Sequence, residues 1–377
     1  MHKVQLTYIL AGEPAAPGFP AAGRPLHHPL LALLAAVHNS GSISGAARES
    51  GLSYRHVWGE LKRWELELGQ TLVLWVKGQP AVLSPFGEKL LWAERRAQAR
   101  LAPQIEALRS ELEQAFAIAF DASAGVLGIY ASHDQALPRL RNWVAQEHRL
   151  QLELQFTGSV EALTALNDGR CVLAGFHALT HAARSSPTAK VYRPMLKPGR
   201  HKLIGFATRM QGLIVASGNP LGLATLADLT RPGLHFVNRA RGTGTRVVLD
   251  ELLASAGVPA QDIADFDRNE PSHQAAAEAV ASGSADVAFG IEAAAVARGL
   301  AFVPLAREHY FLVTLASHLE HPHVKTLLAT LATPAWQATL RALAGYAPDR
   351  SGEVLSLRRV LPWWSYRRPK PAPQPAP

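Results

Sequence analysis

The stretch that decides the fold is residues 41–65, GSISGAARESGLSYRHVWGELKRWE. Its pattern predicts two short helices joined by a tight turn, because Gly51 readily adopts the left-handed conformation that ends a helix. We expect Ser44 to cap the first helix and Ser53 the second. A serine hydroxyl in that position accepts a hydrogen bond from an N–H that has no partner within the helix.

The second helix separates into a buried face and an exposed one. Val57, Leu61 and Trp64 recur at helical spacing and predict one buried stripe. The remaining residues are mostly basic or aromatic, which suits contact with base edges and phosphates in a DNA major groove. An ordinary helical hairpin fits the same residues. The candidate DNA-binding residues are Ser44, Ser53, Tyr54, Arg55, His56, Lys62 and Arg63.

The segment that follows predicts a small β-hairpin. Residues 72–76 form a short apolar strand, residues 77–80 a turn, and residues 81–83 a returning strand. Such a hairpin is a plausible wing beside the helix pair. Lys77, near its tip, is a further candidate DNA-binding residue, suited to a phosphate contact.

These motifs together resemble a known DNA-binding fold. The pattern GSIS-x-AA-x-x-x-GLSY-x-x-x-W, followed by a wing and AVLSPFGEKL, is similar to the winged helix-turn-helix of ModE-type and LysR-type bacterial transcriptional regulators. The resemblance implies that the helix after Ser53 is the recognition helix. It also implies double-stranded DNA as a partner.

Length and composition set the broad class. With 377 residues the chain is long enough for two or three domains. The net charge of +8 and the pI of about 9.8 favour a polyanionic partner, although many enzymes are equally basic. Cys171 is the single cysteine, which excludes a disulfide framework or a cysteine zinc site within one chain.

Neither end of the chain predicts an export signal or a membrane anchor. The first ten residues, MHKVQLTYIL, are too short and polar for a signal peptide, and residues 4–10 alternate like a strand. Apolar runs stay below the roughly 18–20 residues of a membrane span. We therefore expect a cytoplasmic protein without a membrane partner.

A long helix is predicted after the wing, from Ser84 to Phe116. Leu101, Ile105, Leu108 and Leu112 form a short heptad seam within it; the resemblance to LysR-type regulators implies that this helix pairs two subunits, as a homodimer or homotetramer. Packing on its own domain is the alternative. Pro103 should kink or split the helix.

From residue 125 onward, strand and helix patterns alternate. This β-α-β rhythm predicts a mainly parallel sheet with helices on its faces. The predicted strands are residues 126–130, 150–156, 171–176, 234–237, 286–289 and 302–304.

Three strand ends in this part carry small polar residues. Ser132, Ser159 and the loop at residues 242–245 offer hydroxyls and free backbone N–H groups at helix starts, where negative charge is favoured. Ligands of such sheets bind at the carboxyl ends of strands, so an anion site is one interpretation. The other is that each hydroxyl merely caps its own helix.

Catalytic and metal chemistry are not predicted. Ser132, His133 and Asp134 are adjacent and cannot align as a catalytic triad, and the GTGTR loop lacks the spacing of a nucleotide-binding fingerprint. His177 and His273 lack the clustered carboxylates or cysteines of a metal site. The sequence therefore predicts a protein that is not an enzyme and has no metal or cofactor.

A second resemblance covers the chain from Gly125 to about Arg350. Segments such as ASHDQAL, FTGSVEAL, VNRARGTGTRVVLDELL and EPSHQAAAEAVASGSADVAFGIEAAA are similar to the periplasmic-binding-protein-like domain. This implies a two-lobed α/β clamshell with a ligand between the lobes. The ligand-binding residues it implies are Ser132, Ser159, His177, Arg239, Arg241, Gly242, Thr243, Gly244, Thr245, Arg246, His273 and Tyr310.

The complete prediction is an α/β protein in four parts: a winged helix-turn-helix at residues 1–84, a linker or dimerisation helix at 85–122, a clamshell at 123–350 and a basic, Pro-rich tail at 351–377. We expect a regulator that binds a small oxyanion effector, molybdate or tungstate ahead of sulfate. The alternatives are an enzyme or carrier of molybdenum-cofactor metabolism, and a regulator that senses an organic acid such as formate.

Overall fold

The computed structural model describes residues 28–75, 79–120, 125–180, 186–361 and 363–364. The chain divides into two compact units, Met1–Ile105 and Glu106–Pro377. The strand predicted at residues 4–10 and the wing residue Lys77 lie outside the described residues.

The first unit is a three-helix arrangement with a small hairpin. Its elements are α1 (Pro29–Ser40), α2 (Ile43–Ser50), α3 (Tyr54–Leu68), β1 (Val73–Leu74), β2 (Val82–Leu83) and the first part of α4 (Pro85–Phe120). β1 pairs antiparallel with β2. The predicted helix pair and wing are therefore present.

Serine and glycine residues set the ends of α2 and α3. Ser53 caps α3, its Oγ accepting from the N–H of His56 at 3.1 Å, and Gly51 ends α2 with φ +67°. The prediction for Ser44 is wrong. Ser42 has the extended backbone of a cap and its Oγ accepts from the N–H of Gly45 at 2.9 Å, whereas Ser44 already lies within the first turn and is exposed.

The buried stripe of α3 is shorter than predicted. Val57 and Leu61 are buried in the core of this unit. Trp64 is half-buried at its edge, and its ring stacks under the guanidinium of Arg63 at 4.8 Å. Burial of Val57 and Leu61 contributes on the order of 1.5–3 kcal/mol each.

The linker helix α4 is continuous from Pro85 to Phe120. Ser84 caps it, accepting from the N–H of Gly87 at 3.0 Å. Pro103 lies inside the helix, so the expectation that it splits the helix is wrong. Loss of one backbone N–H removes a single rung of the hydrogen-bond ladder, and the turns on both sides keep theirs.

The second unit contains a ten-stranded mixed sheet with helices around it. Its strands are β3 (Gly125–Ala131), β4 (Leu150–Phe156), β5 (Leu173–Leu179), β6 (His201–Val215), β7 (Phe236–Arg239), β8 (Asn269–Glu270), β9 (Val287–Ile291), β10 (Ala301–Leu315), β11 (Tyr346–Pro348) and β12 (Val354–Ser356). The helices are α5 (Ala136–His148), α6 (Ser159–Asn167), α7 (Pro187–Tyr192), α8 (Gly244–Ala256), α9 (His273–Ala281), α10 (Glu292–Val296), α11 (Pro322–Ala332), α12 (Pro334–Arg341) and α13 (Leu357–Val360).

The strand order is β4-β3-β5-β10-β6-β9-β7-β8, which explains both the success and the failure of the parallel-sheet prediction. The strands at each end, β3 with β4 and β5 and then β7 with β8 and β9, run parallel. In the centre, the 15-residue strands β6 and β10 pair antiparallel with each other and with their neighbours. These two strands join two lobes, each with its own parallel strands and its own helices.

The domain continues past the predicted boundary at residue 350. β12 pairs with β6, α13 follows it, and Trp363 is 1% exposed in a core that also contains Phe176 and Tyr192. Residues 351–361, 363 and 364 therefore belong to the folded domain, because apolar side chains among them complete that core. The remainder of the predicted tail lies outside the described residues.

No helix in the described ranges has the length and apolar character needed to cross a membrane.

Candidate functional site

The exposed face of α3 is the first candidate site. Tyr54, Arg55, His56, Lys62 and Arg63 are all exposed. Three of these side chains contact a neighbour on the same helix. The Tyr54 ring stacks on the Trp58 ring, with centroids 6.4 Å apart and 7° between the ring planes. Lys62 and Arg63 form ion pairs with glutamates of α3. Arg55 and His56, at the start of the helix, have no ion pair within the described part of the chain.

The ion pairs on α3 are local and solvent-exposed. Lys62 Nζ lies 2.7 Å from Glu65 and Arg63 Nη2 lies 2.6 Å from Glu60. Exposed ion pairs of this kind contribute little to stability, because water screens them and two long side chains lose freedom. Both cations are therefore easily redirected to a phosphate.

The second candidate site is a buried polar cluster where the two lobes meet. We define it as Asp134, His177, Arg209, Gln211, Thr245, His273, Glu308 and Tyr346. These side chains come from strand ends, from the two long strands β6 and β10, and from the starts of α8 and α9. All of them are buried.

Arg209 is the centre of the cluster and is 0% exposed. Its Nη1 donates to Asp134 Oδ2 at 2.6 Å, and its Nε and Nη2 donate to Glu308 Oε1 at 2.8 and 2.5 Å. Tyr346 also donates to Asp134 Oδ2, at 2.5 Å. A buried guanidinium held by two carboxylates is fixed in direction, because charge-assisted bonds of this kind are short and strong.

The protonation of His177 follows from its contact with Arg209. Arg209 Nη2 lies 3.1 Å from His177 Nδ1, and a guanidinium has only donors. Nδ1 must therefore accept, so the ring proton is on Nε2. Burial, and then the charge of Arg209, lower the pKa of His177 well below its ordinary value, so the ring is neutral.

A chain of hydrogen bonds connects this centre to the starts of α8 and α9. Gln211 Nε2 donates to Glu308 Oε1 at 2.9 Å and to Thr245 Oγ1 at 3.2 Å. Thr245 Oγ1 in turn lies 3.3 Å from His273 Nε2. The cluster therefore extends from strands of one lobe to helix starts of the other.

Arg239 is a second buried cation beside this cluster, with 1% exposure. Its Nη1 donates to the backbone carbonyl of Glu270 at 2.9 Å. Burial, and then the like charge of Arg209, lower the pKa of Arg239 to about 9, while Glu270 acts in the opposite direction. The charge of Arg239 is thus less well compensated than that of Arg209.

The loop before α8 closes against the other lobe. Thr243 caps α8, accepting from the N–H of Arg246 at 3.3 Å. A Cβ on Gly244 would lie 2.5 Å from the His177 ring, and one on Gly158 would lie 2.8 Å from the carbonyl oxygen of Gly242. Both glycines are therefore required for this close approach.

Several buried polar atoms of this region have no hydrogen-bond partner within the described part of the chain. They are Ser132 Oγ, His177 Nε2, Arg239 Nε, His273 Nδ1 and Tyr310 OH, and also the acceptors Gln211 Oε1 and Glu308 Oε2. Burial raises the pKa of Tyr310 well above its ordinary value, so its hydroxyl stays protonated. Each such atom costs about 1–3 kcal/mol, which marks the region as a place where a ligand would find donors and acceptors.

The predicted ligand residues separate into two groups. Most of them lie in or beside the buried region, and the Tyr310 ring lies against the His177 ring with centroids 4.2 Å apart and an angle of 34° between the planes. All members of this group are buried except Gly242, which is partly exposed: Ser132, Ser159, His177, Arg239, Gly242, Thr243, Gly244, Thr245, His273 and Tyr310. Arg241 and Arg246 are not brought to it. Arg241 is exposed and pairs with Asp267 at 3.1 Å, and Arg246 pairs with Asp250 at 3.0 Å and lies over the Phe266 ring at 4.1 Å.

Sequence reasoning missed Arg209, Gln211, Glu308 and Tyr346. A signal was present for two of them, since Arg209 interrupts the apolar run LIGFATRMQGLIV and Glu308 interrupts the run that ends in YFLVTL. A charged residue inside a buried strand requires a partner. No group of histidine, cysteine, aspartate and glutamate in the described residues has the arrangement of a metal site.

Comparisons with known proteins agree with this two-part organisation. Residues 141–332 match the PBP superfamily domain, and residues 29–88 match the bacterial regulatory helix-turn-helix protein, lysR family. The chain is 31% identical over 201 residues to the uncharacterised protein YvgK of Bacillus subtilis (strain 168), covering 53% of this chain and 64% of that protein.

Two further similarities are more limited. The molybdenum-pterin-binding protein MopB of Rhodobacter capsulatus is 38% identical over 86 residues, covering 22% of this chain and 32% of MopB. The crystal structure of CbnR, a LysR family transcriptional regulator, aligns with 79% of this chain and 95% of its own, at 18% identity and a TM-score of 0.39. Because the match to the PBP superfamily domain covers more than half of the chain, the chain belongs to that superfamily through its second unit. Residues 29–88, in its first unit, match the helix-turn-helix of the lysR family.

Proposed function

We propose that the protein is a transcriptional regulator that binds double-stranded DNA through α3 and the wing and responds to a small anionic effector. The DNA part is supported by one observation above the others: the start of α3, in a LysR-family helix-turn-helix, exposes Arg55 and His56 without ion-pair partners in the described chain. Side chains in that position reach base edges in a major groove.

Substitution of Arg55 tests this part. Arg55→Ala should reduce affinity for the selected DNA sequence by about 1–3 kcal/mol and relax the sequence preference, because an arginine–guanine contact is lost. Lys77→Ala, in the predicted wing tip, should weaken binding to all DNA sequences equally and make the affinity less dependent on salt concentration. Fluorescence anisotropy at fixed salt measures both. If Arg55→Ala binds the selected sequence with unchanged affinity, α3 is not the recognition helix.

The effector is proposed to bind where the lobes meet, beside Arg239. That residue is a buried cation whose pKa is lowered by burial and by Arg209, with one N–H unpaired. An anion placed there would gain charge-assisted hydrogen bonds from Arg239 and neutral ones from Ser132, His177 and Tyr310. Small tetrahedral oxyanions, molybdate or tungstate ahead of sulfate, suit a set of directed donors, and the similarity to MopB favours the molybdenum-related members.

A second class of effector is favoured by a different observation. Glu308 Oε2 and Gln211 Oε1 are buried acceptors to which no group in the described ranges donates, and a fully deprotonated oxyanion has no proton to give them. An organic acid that also carries a hydroxyl or amino group would satisfy both kinds of atom. The two classes differ in whether the ligand donates a hydrogen bond as well as accepting.

Titration calorimetry of the full chain distinguishes these ligands. Molybdate, tungstate, sulfate, formate and a hydroxylated organic acid are titrated in turn. Ser132→Ala should reduce the affinity for the bound class by about 1.5–3 kcal/mol without reducing stability, because the Ser132 hydroxyl has no hydrogen-bond partner among the described residues. Ser282→Ala, whose hydroxyl bonds within its own helix end, is the control and should leave binding unchanged. Equal affinity in both variants would place the ligand elsewhere.

Subunit pairing through α4 completes the proposal. Leu101 and Leu108 are 36% and 49% exposed, and Ile105 and Leu112 are half-buried. An apolar seam on a long helix gains free energy by burial against a second copy. A change in the closure of the two lobes would then alter how the paired DNA-binding units sit on their half-sites.

A further inference from the structure

Three glycines lie inside helices in the described part of the first unit: Gly45 in α2, Gly59 in α3 and Gly87 in α4. Glycine is unfavourable in a helix interior, because it loses more backbone freedom on folding than alanine does. Each of these positions therefore requires a reason why a side chain is absent.

The reason is intramolecular for two of them. A Cβ on Gly45 would lie 2.6 Å from the Cβ of Ser40, and a Cβ on Gly87 would lie 2.4 Å from the carbonyl oxygen of Leu72. Both distances are far below van der Waals contact. Gly45 and Gly87 are thus required by packing within the unit.

Gly59 has no such reason. A Cβ built on it meets no atom within 4 Å, and its backbone is ordinary right-handed helix. The residue is exposed in the middle of a 15-residue helix. An alanine at position 59 would contact nothing in the described chain. It would also favour the helix more than glycine does.

The surroundings of Gly59 indicate what approaches it. At about 3.6 residues per turn, Gly59 lies opposite the buried stripe of Val57 and Leu61, at the centre of the outward face. The exposed residues within roughly 60° of it on that face are Arg55, His56, Lys62, Arg63 and Leu66. Glu60 and Glu65 lie farther round the helix and hold Arg63 and Lys62 by ion pairs. The bare position is thus bordered mainly by cationic side chains.

We propose that Gly59 is the point of closest approach between α3 and duplex DNA. This rests on the proposed DNA-binding function. A major groove about 12 Å wide admits a helix that is about 10–12 Å across with its side chains, so a missing side chain on the inward face decides how deeply the helix enters. Gly59 sets that depth, and thereby the reach of Arg55 and Arg63 to bases. It is a positioning residue for recognition.

The test is a graded series at this position, Gly59→Ala, Gly59→Ser and Gly59→Val, in the full chain. The probe is the duplex that the parent protein selects from a random-sequence pool. Asn39→Ala is the control, since Asn39 is exposed on α1 and its replacement also improves helix propensity. Affinity, salt dependence and thermal stability are measured for each variant.

We expect Gly59→Ala to be at least as stable as the parent while binding the selected duplex about tenfold more weakly or worse. The loss should increase from alanine to valine. The slope of affinity against salt should stay unchanged, because no phosphate contact is removed. Asn39→Ala should bind as the parent does.

Each other outcome overturns a defined statement. Parent-like binding by Gly59→Ala, together with sequence-specific binding by the parent, overturns the role of Gly59 and leaves the DNA-binding function intact. If the Gly59 variants bind DNA as the parent does but differ in self-association, the face of α3 around Gly59 contacts another protein chain. That result also overturns the proposed role of Gly59 in DNA binding. A parent that enriches no sequence from the pool overturns the DNA-binding function itself, and this inference with it.

Discussion

Replacement of Arg209 by methionine should strongly destabilise the second unit. The change keeps much of the side-chain volume and removes the charge that holds Asp134 and Glu308 together. The side chains of Asp134 and Glu308 are fully buried, so water cannot take the place of the Arg209 guanidinium. Removing one member of a buried ion pair costs about 3–5 kcal/mol, because an uncompensated charge is left behind.

The magnitude converts into a measurable change in melting temperature. For domains of roughly 150–250 residues, each kcal/mol lowers Tm by about 2–4 °C. Arg209→Met should therefore melt about 6–20 °C below the parent. Differential scanning fluorimetry of the full chain measures this, with urea unfolding as a second method.

A further variant separates lost charge from lost shape. The triple variant Arg209→Met, Asp134→Asn, Glu308→Gln removes all three charges and should recover a large part of the loss. A single variant that melts within about 2 °C of the parent would contradict the network as described.

The remaining predictions concern acid, assembly and the end of the chain. Burial lowers the pKa of His177 and His273 well below the ordinary value and that of His133 to about 4, so these rings stay neutral in the folded protein. Because the unfolded chain binds these protons, the free energy of unfolding should fall as the pH drops from about 7 toward 4, by about 2 kcal/mol per histidine at pH 5. A urea midpoint that stays constant between pH 7.5 and 5 would contradict this. Leu108→Glu should leave a monomer by light scattering at micromolar concentration if α4 pairs two subunits, and parent-like assembly would exclude this seam. Truncation after residue 350 removes β12 and Trp363 and should cost at least the 3–5 kcal/mol of a large buried aromatic, which urea unfolding measures.

The helices of the first unit could be predicted from sequence because their signals are local. Ser53, the stripe at Val57 and Leu61, and Gly51 all act within a few residues of one another. The choice between Ser42 and Ser44 as a cap was not accessible in the same way. Both can cap, and the decision depends on which backbone is still extended, a property set by the packing of α2 on α1.

The centre of the second sheet illustrates the opposite case. β6 is buried along nearly all of its length and β10 along its second half. The two strands are joined by pairing between residues about a hundred positions apart, such as Arg209 with Glu308. Neither strand shows clear alternation or frequent turn residues, so the β-α-β rhythm identified the strands beside them and only a small part of β10. The rhythm describes the lobes, whereas the connection between the lobes depends on long-range contacts.

The candidate ligand residues divide along the same line. Thr243, Gly244 and Thr245 were found because a helix start after a strand has a local signature. Arg241 in the loop and Arg246 in the first turn of α8 are instead directed to Asp267 and Asp250. The local sequence predicted where these residues lie along the chain, but it did not predict whether their side chains point toward the buried cluster.

The ligand binding proposed above would explain the buried polar cluster better than stability does. Well-packed apolar residues in the place of buried ion pairs are often as stabilising or more so, and unpaired atoms such as His177 Nε2 and Arg239 Nε add a further cost. A cluster retained for stability alone would be expected to satisfy its own members. Here Arg209 donates to Asp134, Glu308 and His177, which leaves a neutral imidazole next to the start of α8. Its single N–H has no acceptor within the described part of the chain. Such an arrangement holds a donor ready in one direction, which is what selective recognition of a small anion requires.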